Sequence, residues 1–247
     1  MRWIAEASPR QLARIAGGLY LIVILGGAFA IGYVPGTIVV PGDPAATFHN
    51  IQAHELLYRL GLVAHITILA CNVPLALIFW DLFKVVNRRL ALLVVFFTLV
   101  GTAVEGAGLI NQFVPVVLLD GHYSAALTTA QLQALSYIPI DSLEAGYAVS
   151  TVFFGFYGLA LGYLVFRSTF LPRWVGVLLA IGAVGYLTYG FAIFISPGFA
   201  GNLVPYVQLP SLLGEGSFCL WLLIAGVNVQ RWKENASTAA SRLEWAR

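Results

Sequence analysis

Apolar residues run along this chain in six nearly unbroken stretches, and the short segments between them hold most of its charge. An α-helix needs roughly 20 mainly apolar residues to cross a hydrocarbon core. The stretches at about 12–34, 57–83, 90–118, 140–166, 174–195 and 204–229 all meet that length. Membrane-barrel strands alternate apolar and polar over about ten residues, and these runs do not alternate. The pattern therefore predicts an all-α polytopic membrane protein, a six-transmembrane-helix bundle.

The connections predict further elements. Pro41-Gly42 makes a turn, Asp43 suits an N-cap and Pro44 the first helical position, so a short helix over 45–55 should lead into span two. Thr128 and Gln131 form a capping box, predicting a helix over 129–137 that stops before Pro139. These are two short outer-face helices. Ser196-Pro197-Gly198 reads as a turn followed by a short extended stretch. Spans two and three, and four and five, are joined by short loops and should be antiparallel neighbours.

Composition agrees with lipid as solvent: 60% of residues are hydrophobic and 10% charged, against roughly a quarter charged in soluble domains. Every Lys and Arg except Arg59 falls before or at the start of span one, after span six, or in the loops after spans two and four. The positive-inside rule makes that side cytoplasmic, with both termini inside. Trp3, Trp80, Trp174 and Trp232 add aromatic anchors near the inner surface. The basic loops, Arg2 and Arg247 included, read as orientation signals and headgroup contacts, with no nucleic-acid surface. Residues 1–247 form one domain with short cytoplasmic tails at 1–11 and 231–247. Ala28-Phe29-Ala30 imitates a signal-peptidase site, but its apolar run is long for a leader and reads as a true span. Cys71 and Cys219 fall inside spans and read as apolar fillers.

Ser8-Pro9-Arg10, Val39-Val40-Pro41-Gly42-Asp43, Val86-Asn87-Arg88-Arg89-Leu90, Phe166-Arg167-Ser168 with Leu171-Pro172-Arg173, and Gly226-Val227-Asn228 occur in this order. On these motifs nearly the whole chain resembles the bacterial integral-membrane family catalogued as domain of unknown function 4386. The resemblance implies a six-helix bacterial membrane protein. It brings no activity and no site residues with it.

Candidate chemistry must therefore come from polar residues at membrane depth. Helix neighbours recur at three and four. That spacing joins Thr98, Gly101, Glu105, Gly108 and Gln112 in span three, and Gln208, Ser211, Glu215, Cys219 and Gly226 in span six. In span four it joins Glu144, Tyr147, Thr151, Gly155, Gly158 and Gly162. Stripes of small and polar residues mark helix-facing surfaces in membranes, so all three glutamates should point inward. Arg59 near the outer end of span two, with His65 and Asn72 deeper, would complete a polar chamber in the outer half of the bundle. Ionisable groups there are functional candidates by default.

Architectural alternatives stand beside that reading. Arg59 can pair with Glu55 or with Glu144, and Glu105 and Glu215 can be protonated and bonded to Asn111, Gln112 or a tyrosine. The tyrosines and phenylalanines of spans four and five, among them Phe153, Phe154, Phe156, Tyr157, Tyr186 and Tyr189, read as packing before pocket walls. Gly158 and Gly162 form a GxxxG that reads as tight packing of span four. His54-Glu55-Leu56-Leu57-Tyr58 lacks the second histidine of a zinc-protease motif. One imidazole and two carboxylates suffice for a catalytic zinc, so His65, Glu105 and Glu215 are the only metal set in view; no metal or cofactor is expected. His49 and His122 read as outer-surface residues.

The expected function is binding or transport of a small molecule, lipid or proton. Glu105 and Glu215 would exchange protons or hold a cation, Arg59 and Glu144 would form a gate, and His65 would tune. Asn72, Gln112 and Tyr147 are supporting candidates. An intramembrane enzyme acting on a lipid or isoprenoid, and a structural or regulatory protein without ligand, are the alternatives. The bilayer is the one firm partner; the sequence assigns no oligomeric state.

Overall fold

The computed structural model describes residues 7–121, 123 and 126–244. Arg2, Trp3, His122 and Arg247 lie outside them. Among the described residues six helices are long and apolar enough to cross a membrane: α1 (Pro9–Ile38), α3 (Glu55–Phe83), α4 (Arg88–Leu119), α5 (Thr129–Arg167), α6 (Arg173–Ile195) and α7. The last runs over Pro197–Ile224. Two shorter helices accompany them, α2 (Pro44–Ala53) and α8 (Val229–Glu244).

Local chemistry sets most boundaries. Ser8 and Gln11 bond reciprocally at the start of α1, with Pro9 in the first turn. Asp43 accepts from the Ala46 amide, Asn87 from Leu90 and Thr128 from Gln131. Each cap satisfies one of the amides that a helix start leaves unpaired.

Successive spanning helices pack side by side, and α7 returns to pack on α1. The ring α1–α3–α4–α5–α6–α7 is thus closed in chain order, as short connections between oppositely directed helices favour. Six cylinders about 10 Å across enclose a space about one helix wide. At one end that space is filled. Tyr20, Phe79 and Phe218 meet there with ring centroids 5.6–6.2 Å apart, within a cluster that includes Leu12, Phe83 and Leu222. This end also carries the start of α1, helix α8 and the basic loops. It is called the basic face below. Near the opposite face, Val34, Ile38, Ile51, Tyr58, Leu62 and Leu109 make a second, smaller cluster. Between the two clusters the ring stays open.

Glycine permits the closest crossings. A Cβ on Gly17 would stand 2.5 Å from the Leu223 nitrogen, and one on Gly162 would stand 2.8 Å from the Gly176 carbonyl oxygen. The small-residue stripe of α5 from Gly155 to Gly162 is therefore its contact with α6, within one chain.

Three expectations need correction. The helix that begins after Thr128 does not stop before Pro139; it continues to Arg167. Proline costs a helix one backbone bond, but the joint is held: Gln112 Nε2 donates to the Pro139 carbonyl at 2.7 Å, and the Tyr137 hydroxyl accepts from the Gly42 amide at 2.8 Å. The outer-face segment is thus an extension of a spanning helix. Second, no extended stretch follows Ser196, because Pro197 opens α7 directly, the position proline tolerates best. Third, α7 ends at Ile224, where Gly226 takes φ +69°, and most of the supposed tail is helix α8. It lies on the basic face: Trp232 Nε1 donates to the Leu82 carbonyl at 3.0 Å and Asn235 Nδ2 to Thr169 Oγ1 at 2.7 Å.

Candidate ligand chamber

The open part of the ring is a cavity of about 740 Å³, walled by residues from all six spanning helices. Small-molecule sites commonly occupy roughly 300–1,000 Å³. Most of the wall is apolar, including Val23, Ile24 and Ile31 of α1, Ile68 and Leu75 of α3, and Leu209 and Leu212 of α7. Polar groups are few: Glu105, Glu215, Asn72, Thr98, Thr151, Gln208 and the tyrosines 20, 147, 157 and 186.

Glu105 is held from behind. His65 Nε2 lies 2.7 Å from its Oε1, with both side chains buried. His65 is not part of the cavity wall, so it orients a carboxyl that is. Glu215 meets the cavity from the other side of the ring, with the hydroxyls of Tyr20 and Tyr186 close enough to interact with it. Tyr147 lies within the electrostatic reach of both Glu105 and Glu215. Asn72 also faces the cavity and donates to Thr102 Oγ1 at 3.3 Å. Beside Glu215 a void of about 10 Å³, bounded by Gly182 and Ser211, is close to the least volume that holds one water.

The remaining candidates lie elsewhere. Arg59 is half exposed and pairs with Glu55 at 2.7 Å and Asp120 at 3.9 Å. Glu144 is exposed and accepts from the Tyr189 hydroxyl at 3.1 Å. The two therefore form no gate, and Glu144 does not face inward with the other acids. A glutamate near the end of a span has solvent or headgroups within reach and needs no interior partner. Gln112 is buried but structural, bonding Pro139 as above and accepting from the Tyr58 hydroxyl through its backbone carbonyl at 2.9 Å. Asn111 is exposed. Among the described residues no three His, Cys, Asp or Glu side chains gather as metal ligands, so His65, Glu105 and Glu215 do not form a metal set. Cys71 and Cys219 are free thiols.

Phe154, Tyr157 and Tyr186 are chamber wall, whereas Phe156 stacks on Phe97 away from it. Sequence reasoning passed over α1 altogether. Tyr20, the polar residue nearest the middle of that apolar span, is the signal available there; the glycines that follow it, Gly27 and Gly32, are wall residues too.

A family model, "Domain of unknown function (DUF4386)", matches residues 15–226. The chain belongs to this family. All the chamber residues named above fall inside the matched region. A relative from Archaeoglobus fulgidus described as "Uncharacterized protein" is 33% identical over 107 residues, which is 42% of this chain and 59% of the relative. The match thus spans somewhat over half of that protein's length. No solved structure matches the chain.

Proposed function

We propose that this DUF4386 member is a multi-pass protein of the bacterial inner membrane, with the basic face cytoplasmic, that binds or moves a small amphipathic molecule or a proton through its chamber. The observation that carries the reading is the pair of carboxyl groups, Glu105 and Glu215, on opposite walls of one 740 Å³ cavity. Carboxyls at membrane depth are costly unless paired, hydrated or used. Six helices could satisfy them by closing up, yet the ring keeps a space between them. Glu105 and Glu215 are the proton-exchanging or cation-binding groups, Tyr20, Tyr147 and Tyr186 supply hydroxyls, and His65 fixes Glu105.

The test compares the molecules retained by the full chain after mild detergent extraction. Native mass spectrometry should find a bound species on the wild type that Glu105→Gln and Glu215→Gln each lose while still melting cooperatively. Equal retention by all three proteins would refute the reading.

A second reading, an intramembrane enzyme acting on a lipid or isoprenoid, draws on the His65–Glu105 contact. A carboxyl at 2.7 Å from an imidazole is a general acid–base arrangement. It requires chemical conversion of the retained species, abolished by Glu105→Gln.

A further inference from the structure

Resting on the reading of the chamber as a ligand site, we infer that its ligand is a membrane amphipath with an amino or hydroxyl head, entering sideways between α1 and α7. These two helices touch near the basic face, where Gly17 abuts Leu223 and Cys219 Sγ donates to the Gly17 carbonyl at 3.4 Å. Further along, α1 stays with α3: a Cβ on Gly26 would meet Ile68 at 3.0 Å, and Val34 lies against Gly61. From Ala28 onward α1 has no comparable packing on α7. The helices diverge like the arms of a V.

The lips of this slot are chamber wall and accessible surface at once. Leu209 and Leu212 line the cavity while 60% and 56% exposed, and Ala28 and Gly32 across from them are also both lining and exposed. A Cβ added at Gly27 or Gly32 would meet nothing within 4 Å among the described residues. Residues 28–33 are wound as a π-helical turn, a local widening that often marks functional positions in helices. Apolar lips that open onto acyl chains admit hydrocarbon and reject a hydrated ion. Glu215 lies six residues beyond Leu209, about 9 Å toward the basic face. A head that donates hydrogen bonds therefore reaches the carboxyls while its tail occupies the slot.

The test uses the full chain in phosphatidylcholine vesicles and two probes, a long-chain primary amine and a long-chain alcohol, each with a diazirine in the tail. Photolysis and peptide mapping should place label on Ile31 and Leu212. Gly27→Trp and Leu212→Trp, each filling the slot from a different lip, should lower labelling at the unmutated positions about tenfold. Label at the outward-facing Ile195 should not change. Label confined to outward faces, or undiminished in both tryptophan variants, overturns sideways entry. If that happens while Glu105→Gln and Glu215→Gln still lose their retained species, the chamber reading stands and the route alone fails. If neither pair of variants changes anything, both fail.

Discussion

His65 Nε2 and Glu105 Oε1 lie 2.7 Å apart across α3 and α4, each side chain almost fully shielded. Among the described residues neither has another side-chain partner at that distance, so removing one strands the other. Such orphaned buried groups cost about 1–3 kcal/mol. His65→Ala and Glu105→Ala should each lower the unfolding temperature of the detergent-solubilised protein. The double variant should lose less than the sum. Additive losses would show that the contact contributes nothing.

Gly17 and Gly18 are adjacent on α1 but face different surroundings. A Cβ on Gly17 would strike the Leu223 backbone, whereas one on Gly18 meets nothing. Gly17→Ala should destabilise by about 1–3 kcal/mol through overpacking. Gly18→Ala should be neutral or gain up to about 1 kcal/mol from helix propensity. Thermal melts of the two proteins check the contrast, and similar shifts in both would place the α1–α7 crossing elsewhere.

Gln112 ties α4 to the Pro139 joint of α5. Replacing it with alanine should leave the Pro139 carbonyl without that donor, and the first turns of α5 should open more readily. Hydrogen exchange should accelerate over 129–139 and stay unchanged over 150–165. Uniform acceleration would instead indicate loss of the whole bundle.

Arg59 and Glu144 are separate surface residues here. Arg59→Ala should cost no more than about 1 kcal/mol, the usual range of an exposed ion pair, and Glu144→Gln should leave the retained species in place. Loss of that species from either variant, at wild-type stability, would restore the gate that the geometry rejects.

Much of the fold was legible because its causes are local. Apolar length gave the six helices, and Ser8, Asp43 and Thr128 marked starts that side-chain oxygens do create. Errors arose where a local rule was overridden by distant partners. Pro139 signals a stop, but Gln112, 27 residues earlier, and Gly42 steady the chain through it. Helix α8 reads as tail from sequence because, although Trp232 is legible as an anchor, the partners that dock Trp232 and Asn235, Leu82 and Thr169, lie far away in the chain.

For the site, helical spacing put Glu105 and Glu215 on stripes of small and polar residues. The same argument applied to Glu144, which ended on the outside. A stripe names a face of one helix; which neighbour it meets depends on how the ring closes. For α5 the glycines went to α6, and of its stripe Tyr147 and Thr151 reached the cavity, joined there by Phe154 and Tyr157 from outside the stripe.

The sequence by itself determined the helices, their alternating direction, and the gathering of basic segments on one face, since each follows from hydropathy and charge along the chain. Tertiary structure alone decided that the ring closes, that α1 and α7 touch at one end and part at the other, and that an imidazole stands behind one of two facing carboxyls. These depend on contacts between residues far apart in the chain, such as Gly17 with Leu223, whose distances no periodicity encodes.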